Sequence, residues 1–237
     1  MENTTHSQLW NNLIMYFIYK KRRRMIKDIR YNEIEKRNGE VLSYLNRKPI
    51  KPTVIDVGAS IKHWGGDFIT ATVDLNDVSL KDVIQFRGNI TNIIVWEEVL
   101  DYVAKNGKFD FCICTHTLED ISSPIFVATM LSRIAKEGFV AVPSKYVESR
   151  QNGDVCRGWL HHRWIFNVEN DSIIAYPKLP FTEHLKVLNE VATKFDESIS
   201  ELSFYWEETC DIQAVNGDFF PSDNFAIEIY NNLLDTK

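Results

Sequence analysis

The run from Thr53 to Leu75 constrains this chain more than any other feature. An apolar stretch, Thr53-Val54-Ile55-Asp56-Val57, breaks into Gly58-Ala59-Ser60 and resumes as Thr70-Ala71-Thr72-Val73-Asp74-Leu75. Near-continuous apolar runs of this kind read as strands buried on both faces, as in parallel sheets. A strand that stops at glycine lets the backbone approach a ligand closely. An acid at the tip of the next parallel strand can accept two charge-assisted hydrogen bonds from ribose hydroxyls. Asp74 is that acid, and both it and Gly58 fall where open α/β sheets bind ligands, outside the carboxyl ends of the strands.

The loop after the first strand separates two nucleoside cofactors. A dinucleotide site wants G-x-G-x-x-G, whose second glycine lets the backbone touch the pyrophosphate and whose third packs the helix on the strand. Here the same register reads Gly58-Ala59-Ser60-Ile61-Lys62-His63, and Gly65-Gly66 lies too far along. A sulfonium cofactor carries no pyrophosphate and tolerates the looser loop. The bland alternative is a tight strand-to-helix turn with a solvated aspartate.

About 40 residues on, Phe109-Asp110-Phe111-Cys112-Ile113-Cys114-Thr115 is another buried-type strand, followed by His116-Thr117-Leu118-Glu119-Asp120-Ile121. Ser122 or Ser123 can then cap a helix with Pro124 in its first turn. Phe126, Val127, Met130, Leu131 and Ile134 form its apolar face, and Gly138 is expected to end it. Phe139-Val140-Ala141-Val142-Pro143-Ser144 is the next strand, completing a βαβ unit.

Over roughly Thr53 to Ser144 the sequence resembles class I S-adenosylmethionine-dependent methyltransferases. The strand end Asp56-Val57-Gly58-Ala59-Ser60 resembles the family's D-x-G-x-[GS] element, which holds the methionine portion of the cofactor. Asp74, with Leu75 beside it, stands where the family binds ribose. Gly88-Asn89-Ile90 resembles the G-D-[IV] element that contacts the adenine amino group; Asn89 replaces the acid, and its amide oxygen can still accept a hydrogen bond. Thr115-His116-Thr117-Leu118-Glu119-Asp120 resembles the segment that walls the cofactor, with Asp120 where histidine is common. The resemblance implies a Rossmann-like sheet with helices on both faces, S-adenosyl-L-methionine as cofactor, and Thr115 and His116 as binding residues.

Composition is consistent with a cytoplasmic enzyme. A chain of 237 residues with 44% hydrophobic content can bury a full core. A net charge of −6 disfavours nucleic-acid binding, which usually shows a basic stripe; the only dense basic run is Lys20-Lys21-Arg22-Arg23-Arg24. Cys112, Cys114, Cys156 and Cys210 lack metal-site spacing and read as packing thiols in a reducing compartment. Residues 1–50 read as an N-terminal helical extension, with a charged helix from Asp28 to Asn46. The methyltransferase-like domain then spans 51–237, divided into a cofactor-binding half (51–145) and an acceptor side (146–237). Within the cofactor-binding half, Leu80 to Val83 and Trp96 to Ala104 read as helical, with a short strand near Ile84 to Phe86.

The acceptor side is sought after Ser144, where the alternation of helix and strand fails. Val147 to Arg157 reads as a polar loop. Gly158 to Phe166 reads as an aromatic strand, turning at Glu169-Asn170-Asp171-Ser172 into Ile173-Ile174-Ala175-Tyr176 as a hairpin over the mouth of the site. Neighbouring histidines on a strand point to opposite faces, so at most one of His161 and His162 reaches the site. His161 is favoured as the base that takes the proton of an acceptor hydroxyl, a role worth about 10²–10⁴ in rate. Arg163 can hold an anionic acceptor.

Trp159, Trp164, Phe166, Tyr176 and Phe181 suit an acceptor with flat apolar faces, such as a sugar ring, which is the leading class; the overall pattern, including His161-His162-Arg163-Trp164, resembles methyltransferases that tailor cell-surface glycans, which implies a role in polysaccharide biosynthesis. A divalent ion held by Glu148, Glu119, Asp120 and the histidines is weighed, but no H-x-x-x-H or H-x-H spacing occurs and no metal ligand is assigned. Two rival readings are a non-catalytic methyltransferase-like partner subunit and an NAD(P)-dependent sugar oxidoreductase.

Leu9, Trp10, Leu13, Ile14, Phe17 and Ile18 recur at helical spacing directly before five cations. The stretch is too short to cross a bilayer, and it reads as a face for packing or homodimerisation, with peripheral membrane contact through residues 9–24 as the rival. If the membrane reading holds, the intact protein sediments with anionic vesicles and a variant lacking residues 1–24 does not; failure of the intact protein to sediment ends it.

Overall fold

Three of the apolar runs become strands with hardly any solvent contact: β2 (Val54–Val57), β3 (Ile69–Asp74) and β5 (Phe109–Thr115). The computed structural model describes residues 26–59, 64–78, 80–153, 155–216, 220 and 222–234. With β1 (Ile26–Asn32), β4 (Ile84–Arg87), β6 (Ala135–Pro143) and β11 (Glu201–Glu207), these strands form a seven-stranded sheet in the order β1-β11-β6-β5-β2-β3-β4. Strands β2 to β6 run parallel, while β11 is antiparallel to both its neighbours. The order reverses between β2 and β5, which pair in register at Ile55↔Cys112 and Asp56↔Ile113. This is a doubly wound, Rossmann-like sheet, as expected from the sequence, with its switch point at β2 and β5.

Helices α2 (Ile93–Asn106) and α3 (Pro124–Ile134) are the crossovers into β5 and β6. The Asn92 side chain caps α2 by accepting from the Ile94 N–H at 3.1 Å. Val95, Trp96 and Val99 of α2, with Val127, Leu131 and Ile134 of α3, are buried in the main core. The opposite face is covered differently. Between β2 and β3 the only helical piece among the described residues is the 3₁₀ turn Gly66–Phe68, so α1 (Ile34–Asn46), which precedes β2, supplies the cover. Its Val41 and Leu45 pack with Val54, Ile69, Phe111, Ile113 and Phe139.

Several expectations need correction. The charged helix expected over Asp28 to Asn46 is divided: residues 26–32 form edge strand β1, and only Ile34–Asn46 is helical. A positive φ of 51° at Asp28 and a register shift between Lys27 and Arg30 make a bulge that breaks the strand's alternation and hides it in the sequence. The stretch expected as a helical extension up to residue 50 therefore contributes a strand to the main sheet and a helix to its core. No helix forms at Leu80 to Val83, and Gly138 lies within β6 rather than ending α3, which stops at Ile134. The amphipathic stretch of residues 9–18 lies outside the described residues.

Beyond β6 the chain forms α4 (Lys145–Ser149), the short hairpin β7 (Gln151–Asn152) and β8 (Cys156–Arg157), and the expected hairpin β9 (Trp164–Glu169) and β10 (Ser172–Pro177). Asn170 and Asp171 both take positive φ in its two-residue turn, the conformation that matches strand twist. Strand β12 (Ile212–Ala214) adds parallel to β10. Helices α5 (Lys186–Ala192) and α6 (Asp223–Asn231) flank this second sheet, whose hairpin shares a core with α5 through Ile165, Tyr176, Leu188 and Tyr230. All four cysteines are buried and free. No helix among the described residues is long and apolar enough to cross a membrane.

Gly138 is where β6 presses closest on its neighbours: an added Cβ would lie 2.5 Å from the Cys112 carbonyl oxygen and 2.7 Å from the Trp206 ring. Gly138→Ala is expected to cost about 1–3 kcal/mol by overpacking, read as a lower urea midpoint at unchanged m-value; an unaltered midpoint would contradict this packing.

Candidate active site

The carboxyl ends of β5, β2, β3 and β4 bring together most of the cofactor residues expected from the sequence. Gly58 follows β2 with φ +75°, and its N–H donates to the Val73 carbonyl at 2.8 Å. A Cβ at this position would overlap the Thr117 side chain, so only glycine lets the loops after β2 and β5 approach so closely. Ala59 is buried beside it, and Ser60 lies outside the described residues. Asp74 ends β3; its Oδ1 accepts from the Asn76 N–H at 2.7 Å, and Leu75 next to it is exposed. Thr115 ends β5, with its hydroxyl accepting from the Trp64 indole at 3.3 Å.

After β4, Asn89 is engaged locally. Its carboxamide oxygen accepts from the Thr91 N–H at 2.9 Å and the Thr91 hydroxyl at 2.8 Å, which fills both lone pairs. Binding an adenine amino group there would require that turn to open. Ile90 is buried, and its carbonyl accepts from the Trp96 indole at 2.8 Å.

Electrostatically this end of the sheet is acidic. Burial, helped by the nearby Asp74 charge and opposed by Arg37, pushes the Asp56 carboxyl up to about 7. His116 takes a left-handed φ of 50° on leaving β5, and its Nε2 lies 2.8 Å from Glu201 Oε2. Burial opposes its charge, but the Glu119 and Glu201 carboxylates outweigh that and lift its pKa to about 9. Two participants escaped the sequence reading. Arg37 of α1, only 4% exposed, approaches the fully buried Glu201 of β11 at 3.5 Å. Each sits in a segment that reads as an ordinary amphipathic element, and no local pattern marks either as buried.

Beside His116 opens a cavity of about 510 Å³ lined by Glu119, Asp120, Arg150, Trp159, His161 and His162 among others. The two histidines are not on opposite faces of a strand. Trp159 to His162 form a turn, and β9 begins only at Trp164. Both imidazoles consequently approach one carboxylate oxygen, Asp120 Oδ1, at 3.8 Å for His161 Nε2 and 3.6 Å for His162 Nε2. His161 is exposed, whereas His162 is buried with its Nδ1 2.6 Å from Glu148 Oε1. The other Glu148 oxygen accepts from Lys178 Nζ at 2.9 Å. Burial raises the Asp120 pKa while His162 and His161 oppose the rise. The Glu119 side chain is 1% exposed and its carboxylate has no hydrogen-bond partner among the described residues; His116 Nδ1 lies 3.4 Å from its Oε1.

Arg163 is exposed and does not line the cavity; its N–H donates to the Glu119 carbonyl at 2.6 Å. Of the aromatic residues expected around an acceptor, only Trp159 lines the cavity. Phe166 and Tyr176 are core residues, and the Trp164 indole donates to the Ile121 carbonyl at 2.8 Å. The expected polar loop from Val147 to Arg157 begins within α4, whose Glu148 is fully buried behind His162.

No family model and no curated protein matches the sequence. Solved structures with a similar fold include the N-terminal domain of EvdMO1 in the presence of SAH and D-fucose, 11% identical over 73% of this chain and 81% of that one, with a TM-score of 0.38. A SAM-dependent methyltransferase from Thermotoga maritima is 11% identical over 73% of this chain and 89% of its own, with a TM-score of 0.43. The methyltransferase domain of bacterial CtHen1-C is 12% identical over 72% and 96%, with a TM-score of 0.42. At this degree of similarity the chemistry rests on the chain's own residues.

A buried carboxyl with a raised pKa is a pH-dependent liability. As pH rises through about 4, unfolded chains lose the Asp56 proton while folded ones keep it, so stability falls until the folded group ionises near 7. Asp56→Asn is expected to gain in melting temperature relative to wild type between pH 5 and pH 8; a difference independent of pH would contradict the assignment.

Proposed function

We propose that the chain is an S-adenosylmethionine-dependent O-methyltransferase acting on a sugar or sugar-linked phosphate of a cell-surface polysaccharide pathway. One observation carries the cofactor reading: Asp56 and Asp74 flank Gly58 at the switch point. The Asp74 charge and the buried Asp56, whose pKa is raised to about 7 by burial and by Asp74, favour a cation at this end of the sheet, and their mutual repulsion is relieved when a positive group enters. The cofactor's sulfonium and ammonium groups meet that demand. The pyrophosphate of a nicotinamide dinucleotide meets the opposite environment, and the loop lacks the glycines that would let the backbone hold it. A ribose hydroxyl pair donating to Asp74 fits the same geometry.

The acceptor reading rests on the neighbouring cavity. Trp159, half exposed at its edge, offers a flat apolar face of the kind on which sugar rings stack. Arg150, whose guanidinium stacks over Phe195 at 4.0 Å, supplies the cation for an anionic acceptor that Arg163 was expected to supply. The Asp120, His161 and His162 cluster stands at the end of this cavity, where the acceptor oxygen would be activated. Most of the acceleration in such an in-line transfer comes from positioning, since a near-attack geometry removes much of the entropic barrier.

Calorimetric titration with S-adenosylmethionine and its demethylated product, with NADH and NADPH as controls, tests the reading. Binding of the sulfur nucleosides is expected, weakened by a factor of about 100 or more in Asp74→Ala because two charge-assisted hydrogen bonds are lost. His161→Ala should keep cofactor binding and slow transfer. Binding of NAD(P)H in place of the sulfur nucleosides would replace the assignment, and binding of neither would favour a non-catalytic subunit.

A further inference from the structure

The cluster at the end of the acceptor cavity has the form of a metal site. One ligand atom from each of Asp120, His161 and His162 lies within 4.8 Å of the others. The separations from Asp120 Oδ1, 3.6 and 3.8 Å, are too long for hydrogen bonds. They are close to the separation of about 3.3 Å between donors that share one ion at bond lengths of about 2.0–2.1 Å. Asp120 Oδ1 is buried and has no hydrogen-bond partner among the described residues. The adjoining Glu119 carboxylate, buried on the same cavity, likewise accepts no hydrogen bond.

A support surrounds the cluster. Glu148 Oε1 at 2.6 Å from His162 Nδ1 holds a proton on that nitrogen, which turns the Nε2 lone pair toward Asp120. Metal-binding histidines are commonly oriented by a carboxylate in this way. Lys178, which also donates to the Arg157 and Trp159 carbonyls at 2.8 and 3.0 Å, neutralises Glu148 and pins the turn. Gly158, at φ +56°, makes this possible, because a Cβ there would overlap the Glu148 carboxylate.

We infer that Asp120, His161 and His162 bind one divalent first-row transition ion such as Mn²⁺, Co²⁺ or Zn²⁺, with Glu148 as the residue that positions His162. Two imidazoles and one carboxylate suit these ions better than Mg²⁺, which prefers an all-oxygen shell and keeps several waters. Three protein ligands leave coordination positions open, and the exposed side of His161 places them toward the cavity. The ligand class for those positions is an acceptor with two neighbouring oxygens, such as a vicinal diol or a phosphate beside a hydroxyl. That last step rests on the methyltransferase reading, whereas binding of the ion does not.

The test is titration of tag-free, chelator-treated protein with Co²⁺, followed by visible absorption and by stoichiometry, without cofactor or acceptor. One Co²⁺ per chain is expected, displaced by Zn²⁺ and not by equimolar Mg²⁺. Asp120→Ala and His162→Ala should abolish the site, and Glu148→Gln should weaken it 10–100-fold. Because His162 is buried, the exposed His161→Ala serves as the variant that leaves folding intact, and it should weaken Co²⁺ binding at least tenfold at an unchanged melting temperature. Absence of Co²⁺ binding by the wild type, or equal binding by His161→Ala or Asp120→Ala, overturns the site. Since no nucleoside is present, a failure here is separate from any failure of S-adenosylmethionine to bind.

Discussion

Glu201 holds the ligand end of this molecule together. It is fully buried at the start of β11, opposite Asn32 of β1 and Pro143 of β6. A carboxylate in that position must find its compensation within the protein, and it does so in Arg37 of α1 and His116 at the end of β5. Removing one partner of a buried ion pair typically costs about 3–5 kcal/mol, because the remaining charge has no solvent to turn to. The ion pairs therefore tie together segments from three distant parts of the chain: the helix that covers the sheet, the strand that closes it, and the loop that walls the site.

From that anchor the site falls into two chemically distinct halves. Gly58, Asp56 and Asp74 form an acidic group at the reversal of strand order. The other half is the cavity where Asp120 and the two histidines converge. The Glu119 and Glu201 carboxylates outweigh burial at His116 and favour its charged form. The left-handed backbone at this residue lets the chain turn sharply off β5 and present Thr117 to Gly58.

The half expected to hold the cofactor was legible in the sequence because its signals are local. Strands buried on both faces are predominantly apolar, and Val54–Val57, Ile69–Asp74 and Phe109–Thr115 are so apart from a few polar residues such as Asp56 and Thr72; Gly58 and Asp74 then stand at their ends by simple succession. The acceptor half was less legible because its geometry depends on partners far away in the chain. Glu148 and Ser149 read as part of a polar loop, yet both are buried, Glu148 held by Lys178. His161 and His162 looked like alternate faces of a strand, whereas Gly158 at positive φ opens a turn that aims both at one oxygen. Strand β1 was hidden for a third reason: an edge strand with a bulge and a charged outer surface carries little of the alternation that marks a strand.

The pairing of β1 with β11 also sets the order in which the molecule can be completed. Residues 26–32 precede every other strand of the sheet in the chain, and their partners at 201–206 follow all the rest. While synthesis proceeds, β1 and the outer edge of β6 wait unpaired. Open strand edges of this kind are the surfaces through which partly folded chains associate wrongly. The positive-φ bulge at Asp28 and the charges on Lys27 and Arg30 roughen that early edge, a safeguard whose value lies in the interval before the protein has a site at all.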